Sequence, residues 1–294
     1  MPNMKLIVPL DDRAVIAISG EDARDFLQGL ITNDIEKVSP TQSIYAALLT
    51  PQGKFLHDFF ITEYKERLLI DCESERISDL IKRLTMYRLR AKVDITDESE
   101  RWEVGVMLPM SDVAGLGSEE TQPGEAETGT AKTRFDGVSY IDPRNAALGE
   151  RIIRKVDEDD NFSTDETLLE KNRAAYHARR LVLGIPDSTA DLIPGKSLPM
   201  EAGFDLLNGI DFEKGCYVGQ EVTARMKHRD LVKKRLFPVA FDGEVASGTD
   251  INCDGVTAGE LHSVQGNRGL ALLRLDLVEK GGLTANGVSV RVES

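Results

Sequence analysis

Glu213-Lys214-Gly215-Cys216-Tyr217-Val218-Gly219-Gln220-Glu221 crowds a lysine, a thiol, a phenol and carboxylates around two glycines in nine residues. Such a mixture is poor material for a core. Glycine permits positive φ or close backbone approach, so the stretch reads as a tight turn presenting Lys214, Cys216 and Tyr217 to a ligand. The alternative is a hairpin whose polar residues are incidental. A cation beside a thiol favours the thiolate, which makes Lys214 and Cys216 candidates for chemistry.

Upstream of this stretch the pattern is α+β. Ser19-Gly20-Glu21-Asp22 offers a hydroxyl N-cap with an acid three residues on, and Ala23, Phe26, Leu27, Leu30 and Ile31 then recur at helical spacing. Strand-like runs follow at Ile44 to Leu49, Phe55 to Ile61 and Leu68 to Asp71, and a second helical stripe at Ile77, Leu80, Ile81 and Leu84. These predict a sheet with helices on one side. Ser163-Thr164-Asp165-Glu166 starts another helix, with Asn172, Ala175, Tyr176 and Arg179 on one face, ending near Gly184 and Pro186. Its polar stripe points to a lined cavity. Between them, Ser111 to Ala131 carries four glycines, one proline, five acids and no base, and reads as a mobile surface loop. Downstream, from Phe237, short β-like runs separated by Asp242-Gly243, Asp254-Gly255 and Asn286-Gly287 predict a small barrel or sandwich.

The chain of 294 residues has length for roughly two domains. Its 41% hydrophobic and 29% charged residues are those of a soluble globular protein, and no apolar run approaches the roughly 20 residues of a membrane span. The net charge of −14 weighs against a general nucleic-acid binder. Three cysteines, Cys72, Cys216 and Cys253, without a C-x-x-C pair, exclude a disulfide framework or a four-thiolate metal site within one chain, so no metal ligand is assigned. The cysteine usage fits a reducing compartment. The stretch Met1 to Asp12 lacks a signal h-region and turns acidic where a transit peptide would be basic, which reads as cytoplasmic.

Lys214 to Glu221, continued by Val222-Thr223-Ala224-Arg225, resembles the signature of the YgfZ family, folate-binding GcvT-like proteins related to the T-protein of the glycine cleavage system. Further matches are Phe26-Leu27-Gln28-Gly29-Leu30-Ile31-Thr32-Asn33-Asp34, Leu49-Thr50-Pro51-Gln52-Gly53-Lys54-Phe55-Leu56-His57-Asp58 and Pro199-Met200-Glu201-Ala202-Gly203. The resemblance implies two folate-binding α/β subdomains, over residues 1–95 and 96–234, and a C-terminal β-barrel over 235–294, arranged as a ring with a central channel. It implies tetrahydrofolate, or a one-carbon derivative, as cofactor. It also implies a part in assembling or repairing iron–sulfur clusters, with assembly factors or client [4Fe–4S] enzymes as partners. An aminomethyltransferase-like one-carbon transferase and a non-catalytic folate sensor are the alternatives.

The resemblance also assigns residues. Glu201 resembles the T-protein glutamate that holds the pterin, where a carboxylate accepts two adjacent N–H groups. Asp58 matches the acid beside the reacting folate nitrogen, and His57 departs from the aspartate found there in the T-protein. Cys216 departs likewise, and aminomethyl transfer is thereby put in doubt. Lys214 and Tyr217 position the folate or set the state of Cys216, or Tyr217 is merely structural. Cys72 and Cys253 read as packing residues. Two basic islands, Lys82 to Lys92 with five cations and Arg225 to Arg235 with six, are candidates to receive the anionic folate tail, Arg225 included, or are solvated faces.

Overall fold

The computed structural model describes residues 5–109, 135–156 and 166–293. The acidic stretch Ser111 to Ala131 and the helix start at Ser163-Thr164-Asp165 lie outside the described residues.

The first sheet is antiparallel, with five strands in the order β3 (Ile44–Leu49), β4 (Phe55–Tyr64), β5 (Arg67–Glu73), β2 (Arg13–Ser19) and β6 (Asp94–Asp97). Strands β3 and β5 are apolar almost without interruption because both faces are covered. Alternation sends Ile44, Ala46 and Leu48 to one face and Tyr45, Ala47 and Leu49 to the other. Helices α1 (Ala23–Gln28) and α2 (Ile77–Arg88) cover the first face through Leu27, Leu80 and Leu84. The expected helix cap is different: Ser19 ends β2, and Asp22 accepts the Lys92 N–H at 2.7 Å instead of capping α1.

The other face packs on a second antiparallel sheet, ordered β1 (Lys5–Pro9), β7 (Trp102–Pro109), β9 (Glu150–Lys155) and β8 (Gly137–Ile141). Val104, Val106, Leu108 and Ile153 meet Tyr45, Phe55 and Phe60 there. The chain thus crosses the boundary drawn at 95: β1 pairs with β7, and residues 208–218 return to the end of α1. Helix α3 (Glu166–Val182) touches β1 on one side and the C-terminal unit on the other, closing the ring around a central cleft.

That C-terminal unit is a closed barrel, β10 (Lys234–Phe241), β13 (Arg268–Arg274), β12 (Val256–Gln265), β11 (Asp250–Cys253), β14 (Leu283–Ala285) and β15 (Val288–Val292), with its own core around Phe241, Leu261 and Leu273. Asp254-Gly255 and Asn286-Gly287 are its hairpin turns, with φ of 48° and 78° and of 49° and 84°. Asp242-Gly243 opens a longer connection, since β10 pairs with β13 and β15. Helix α4 (Gln220–His228) leads into the barrel and α5 (Leu275–Lys280) follows β13.

Candidate functional site

Alternation along β4 separates His57 from Asp58. His57 points to the helix face, where its Nε2 is 2.8 Å from Asp79 Oδ2 of α2. Burial and the Arg76 charge lower its pKa to about 4 against the pull of Asp79. It fastens α2 to the sheet.

Asp58 points to the opposite face and lines the central cleft together with Arg13, Glu73, Arg144, Arg151 and Tyr176. Tyr45 Oη donates to its Oδ2 at 2.8 Å, while Oδ1, buried, meets no hydrogen-bond partner. Around it lies a lattice of buried charge. Arg13 Nε donates to Asp71 Oδ1 at 2.7 Å, and Arg151 Nε donates to Asp71 Oδ2 at 3.1 Å. Burial pushes the Asp71 carboxyl up, but the two guanidiniums outweigh it and hold it below the carboxylate range. Arg144 is clamped by Asp142 through Nε at 3.0 Å and Nη2 at 2.8 Å. The Phe60 ring carries all three guanidiniums, Arg151 at 4.0 Å, Arg144 at 4.7 Å and Arg13 at 5.7 Å from its centroid. Sequence reasoning missed this lattice. Its signal was present: Asp71 interrupts Leu68-Leu69-Ile70, and a charge inside a strand covered on both faces needs a buried partner.

The nine-residue stretch is elsewhere. Lys214 Nζ donates to the carbonyls of Gln28, Ile31 and Asn33 at 2.8, 2.7 and 2.8 Å. Gln28 ends α1, and Ile31 and Asn33 lie in the loop that follows it. The sequence reading made Lys214 catalytic; all three of its protons are spent on backbone, so here it is a clamp. Burial pushes its ammonium down to about 8, against Asp34 and Asp211. Tyr217 is buried in the main core with Lys214 Nζ 5.1 Å from its ring centroid, and burial pushes its phenol up to about 12. Its ring is part of that core.

Cys216 is the exposed residue of the three cysteines; Cys72 and Cys253 are buried, and burial pushes the Cys72 thiol up to about 12. The loop that carries Cys216 is pinned on both sides, by Lys214 before it and by Val218 N–H donating to Gly29 O at 3.2 Å after it. Arg225 is exposed on α4 and pairs with Glu221 at 2.7 Å.

Glu201 lines a second, smaller pocket with Ser197, Leu236 and His262, where the connection before α4 meets the barrel. Burial raises its carboxyl against the charges of Lys234 and Lys54. Of the basic islands, only the end of Arg225 to Arg235 comes near an expected ligand group, through Lys234 at Glu201. The expected site is therefore divided: Asp58 in the central cleft, Glu201 at the barrel junction and Cys216 on an exposed loop.

The fold is that of a GcvT-like protein. Residues 11–111 match the family described as the GCVT N-terminal domain, and residues 233–294 match the CAF17 C-terminal beta-barrel domain. The glycine cleavage system aminomethyltransferase T of Bartonella henselae superposes with a TM-score of 0.69 at 14% identity, covering 99% of this chain and 85% of that one. Among curated proteins, the mouse mitochondrial iron–sulfur cluster assembly factor IBA57 is 34% identical over 92% of this chain and 78% of its own length. The human IBA57 is 34% identical over 90% of this chain and 76% of its own. The chain belongs to the family of these IBA57 relatives, GcvT-like proteins with a CAF17-type barrel.

Proposed function

We propose that this chain is a tetrahydrofolate-binding accessory protein for the assembly or repair of iron–sulfur clusters, acting on [4Fe–4S] enzymes or with assembly factors. The observation that carries the assembly reading is the 34% identity, over 92% of the chain, to a relative named an iron–sulfur cluster assembly factor. The pinned, exposed loop of Cys216 supports it, because a thiol offered at the surface can meet a partner. One thiol supplies one cluster ligand, so any cluster would be shared with that partner.

The folate reading is supported by the donor set. Asp58 Oδ1 is a buried carboxyl oxygen without a donor, and reduced pterins and amines offer N–H groups. Room is the opposing observation: the cleft has about 40 Å³ of free volume, which takes a few waters, so the walls must part to admit a pterin. A bound tetrahydrofolate would supply one-carbon chemistry. Asp58 would orient and accept an N–H at Oδ1, and Glu201 would act only if the ligand reaches the barrel junction.

The test is the activity of several [4Fe–4S] enzymes in a host lacking this chain, restored with wild type or Cys216→Ala under oxidative stress. Rescue by wild type and failure of the variant are expected. Undiminished enzyme activities in the deletion host would overturn the assembly reading. Calorimetric titration with tetrahydrofolate separates the second component: Asp58→Asn and Glu201→Ala should bind more weakly, and wild type without saturable binding would remove folate. A one-carbon transferase is the second reading, favoured by Asp58 in the cleft, and requires folate-dependent consumption of an amine by wild type and not by Asp58→Asn.

A further inference from the structure

Asp12, Glu73 and Asp187 come from the β1–β2 turn, the end of β5 and the connection after α3, yet one carboxylate oxygen of each lies within 4.8 Å of the others. Three carboxylates so close repel one another unless a proton or cation sits among them. Their existing hydrogen bonds leave oxygens over. Arg13 and Ser188 both donate to Glu73 Oε1, at 2.9 and 3.2 Å, and the Thr189 and Ala190 N–H groups both donate to Asp187 Oδ1 at 2.9 Å. Among the described residues nothing donates to Glu73 Oε2, Asp187 Oδ2 or the Asp12 carboxylate.

The surrounding arginines supply only part of the missing charge. Arg13 pairs with both Asp71 and Glu73, Arg151 with Asp71, Arg144 with Asp142 and Arg180 with Asp191. With Asp58 counted, four guanidiniums meet seven carboxylates. Burial and Arg180 lower the pKa of His177 against the pull of Asp187 and Asp12. A second observation comes from deeper in the cleft. Asp58, 5% exposed and lining the same cleft, holds Oδ1 without a donor. Asp12, Glu73 and Asp187 line that cleft together with Asp58.

We propose that Asp12, Glu73 and Asp187 hold a divalent cation of the oxygen-preferring class, Mg²⁺, Mn²⁺ or Ca²⁺, at the mouth of the central cleft, its water shell giving Asp58 Oδ1 the hydrogen bond that the protein does not. An all-oxygen donor set at a partly solvated rim suits a hard cation that keeps several waters. The inference shares Asp58 Oδ1 with the folate reading and stands apart from the assembly reading, and its test needs neither folate nor a cluster.

Mn²⁺ titration of the full chain, followed by loss of the free-ion resonance in electron paramagnetic resonance, reads the site directly. One saturable Mn²⁺ per chain is expected, displaced by excess Mg²⁺ or Ca²⁺. Asp12→Asn and Asp187→Asn should each weaken it by roughly tenfold or more, while Asp25→Asn, an exposed acid on α1, leaves it unchanged. Asp12 lies on an exposed turn, so its variant should keep the wild-type melting profile without metal. No saturable binding, or equal weakening by all three variants, would overturn the site in favour of diffuse attraction to an acidic surface.

Discussion

Gly219 and Gly53 lie backbone against backbone, with φ of 85° and 72°, so that a Cβ built on Gly219 would stand 3.1 Å from Gly53 Cα and 2.5 Å from the Thr50 carbonyl oxygen. This contact joins the loop of Cys216 to the start of β4, and thereby the segment carrying the thiol to the strand carrying Asp58. Gly219→Ala combines a strained backbone with a collision against main chain and should cost about 2–3 kcal/mol. Gly215 meets no heavy atom within 4 Å, so Gly215→Ala should stay within about 0.5 kcal/mol of wild type. Urea unfolding of the two variants checks this, and equal costs would contradict the packing described.

Lys214→Met strands three backbone carbonyls at and just beyond the end of α1 and should lower stability by about 3 kcal/mol. Lys214→Arg should not rescue it, because a planar fork cannot serve three oxygens converging on one point. Wild-type denaturation midpoints in both variants would show that the ammonium is not a clamp.

His57 makes stability depend on pH with a definite sign. Its folded pKa of about 4 lies below its ordinary 6.5, so between these values the unfolded chain binds a proton that the folded chain refuses. The contribution is complete at pH 7 and is lost as pH falls from 6.5 towards 4, by roughly 3 kcal/mol. The stability difference between wild type and His57→Gln, measured at pH 7 and pH 4, should change by that amount in the direction of favouring the variant in acid. A constant difference would count against a buried neutral imidazole.

Native thiol titration should find one reactive cysteine per chain, Cys216, and three after unfolding. Cys216→Ala should abolish the native reaction. Two or more reactive thiols in the folded protein would mean that Cys72 or Cys253 is less enclosed than its burial indicates.

Asp58 and Asp71 line or underlie the same cleft and should separate binding from stability. Asp71→Asn removes the anion shared by Arg13 and Arg151 and leaves guanidinium charge buried, at a cost of about 3–5 kcal/mol. Asp58→Asn retains an acceptor for Tyr45 and should change stability by less than about 1 kcal/mol. Paired thermal melts of the two variants decide it, and the reverse order would place the structural load on Asp58.

Part of the fold was legible in the chain itself. Helical and strand periods located α1, α2 and β3 to β5, and Asp254-Gly255 and Asn286-Gly287 marked two hairpins of the barrel, because these signals are local and set by the residue next door. The four motifs carrying the family resemblance were visible for the same reason. Tertiary structure alone decided what each motif residue does. Lys214 and Cys216 are two positions apart, yet one turns inward to backbone carbonyls supplied from 181 to 186 residues away and the other turns out to solvent. His57 and Asp58 are adjacent, yet the pleat sends one to a helix and the other to a cleft built from both sheets and α3. The joining of β1 to β7, the arginine lattice over Phe60 and the meeting of Asp12, Glu73 and Asp187 depend on partners distant in the chain, and a sequence period carries no information about which distant charge will neutralise a buried one.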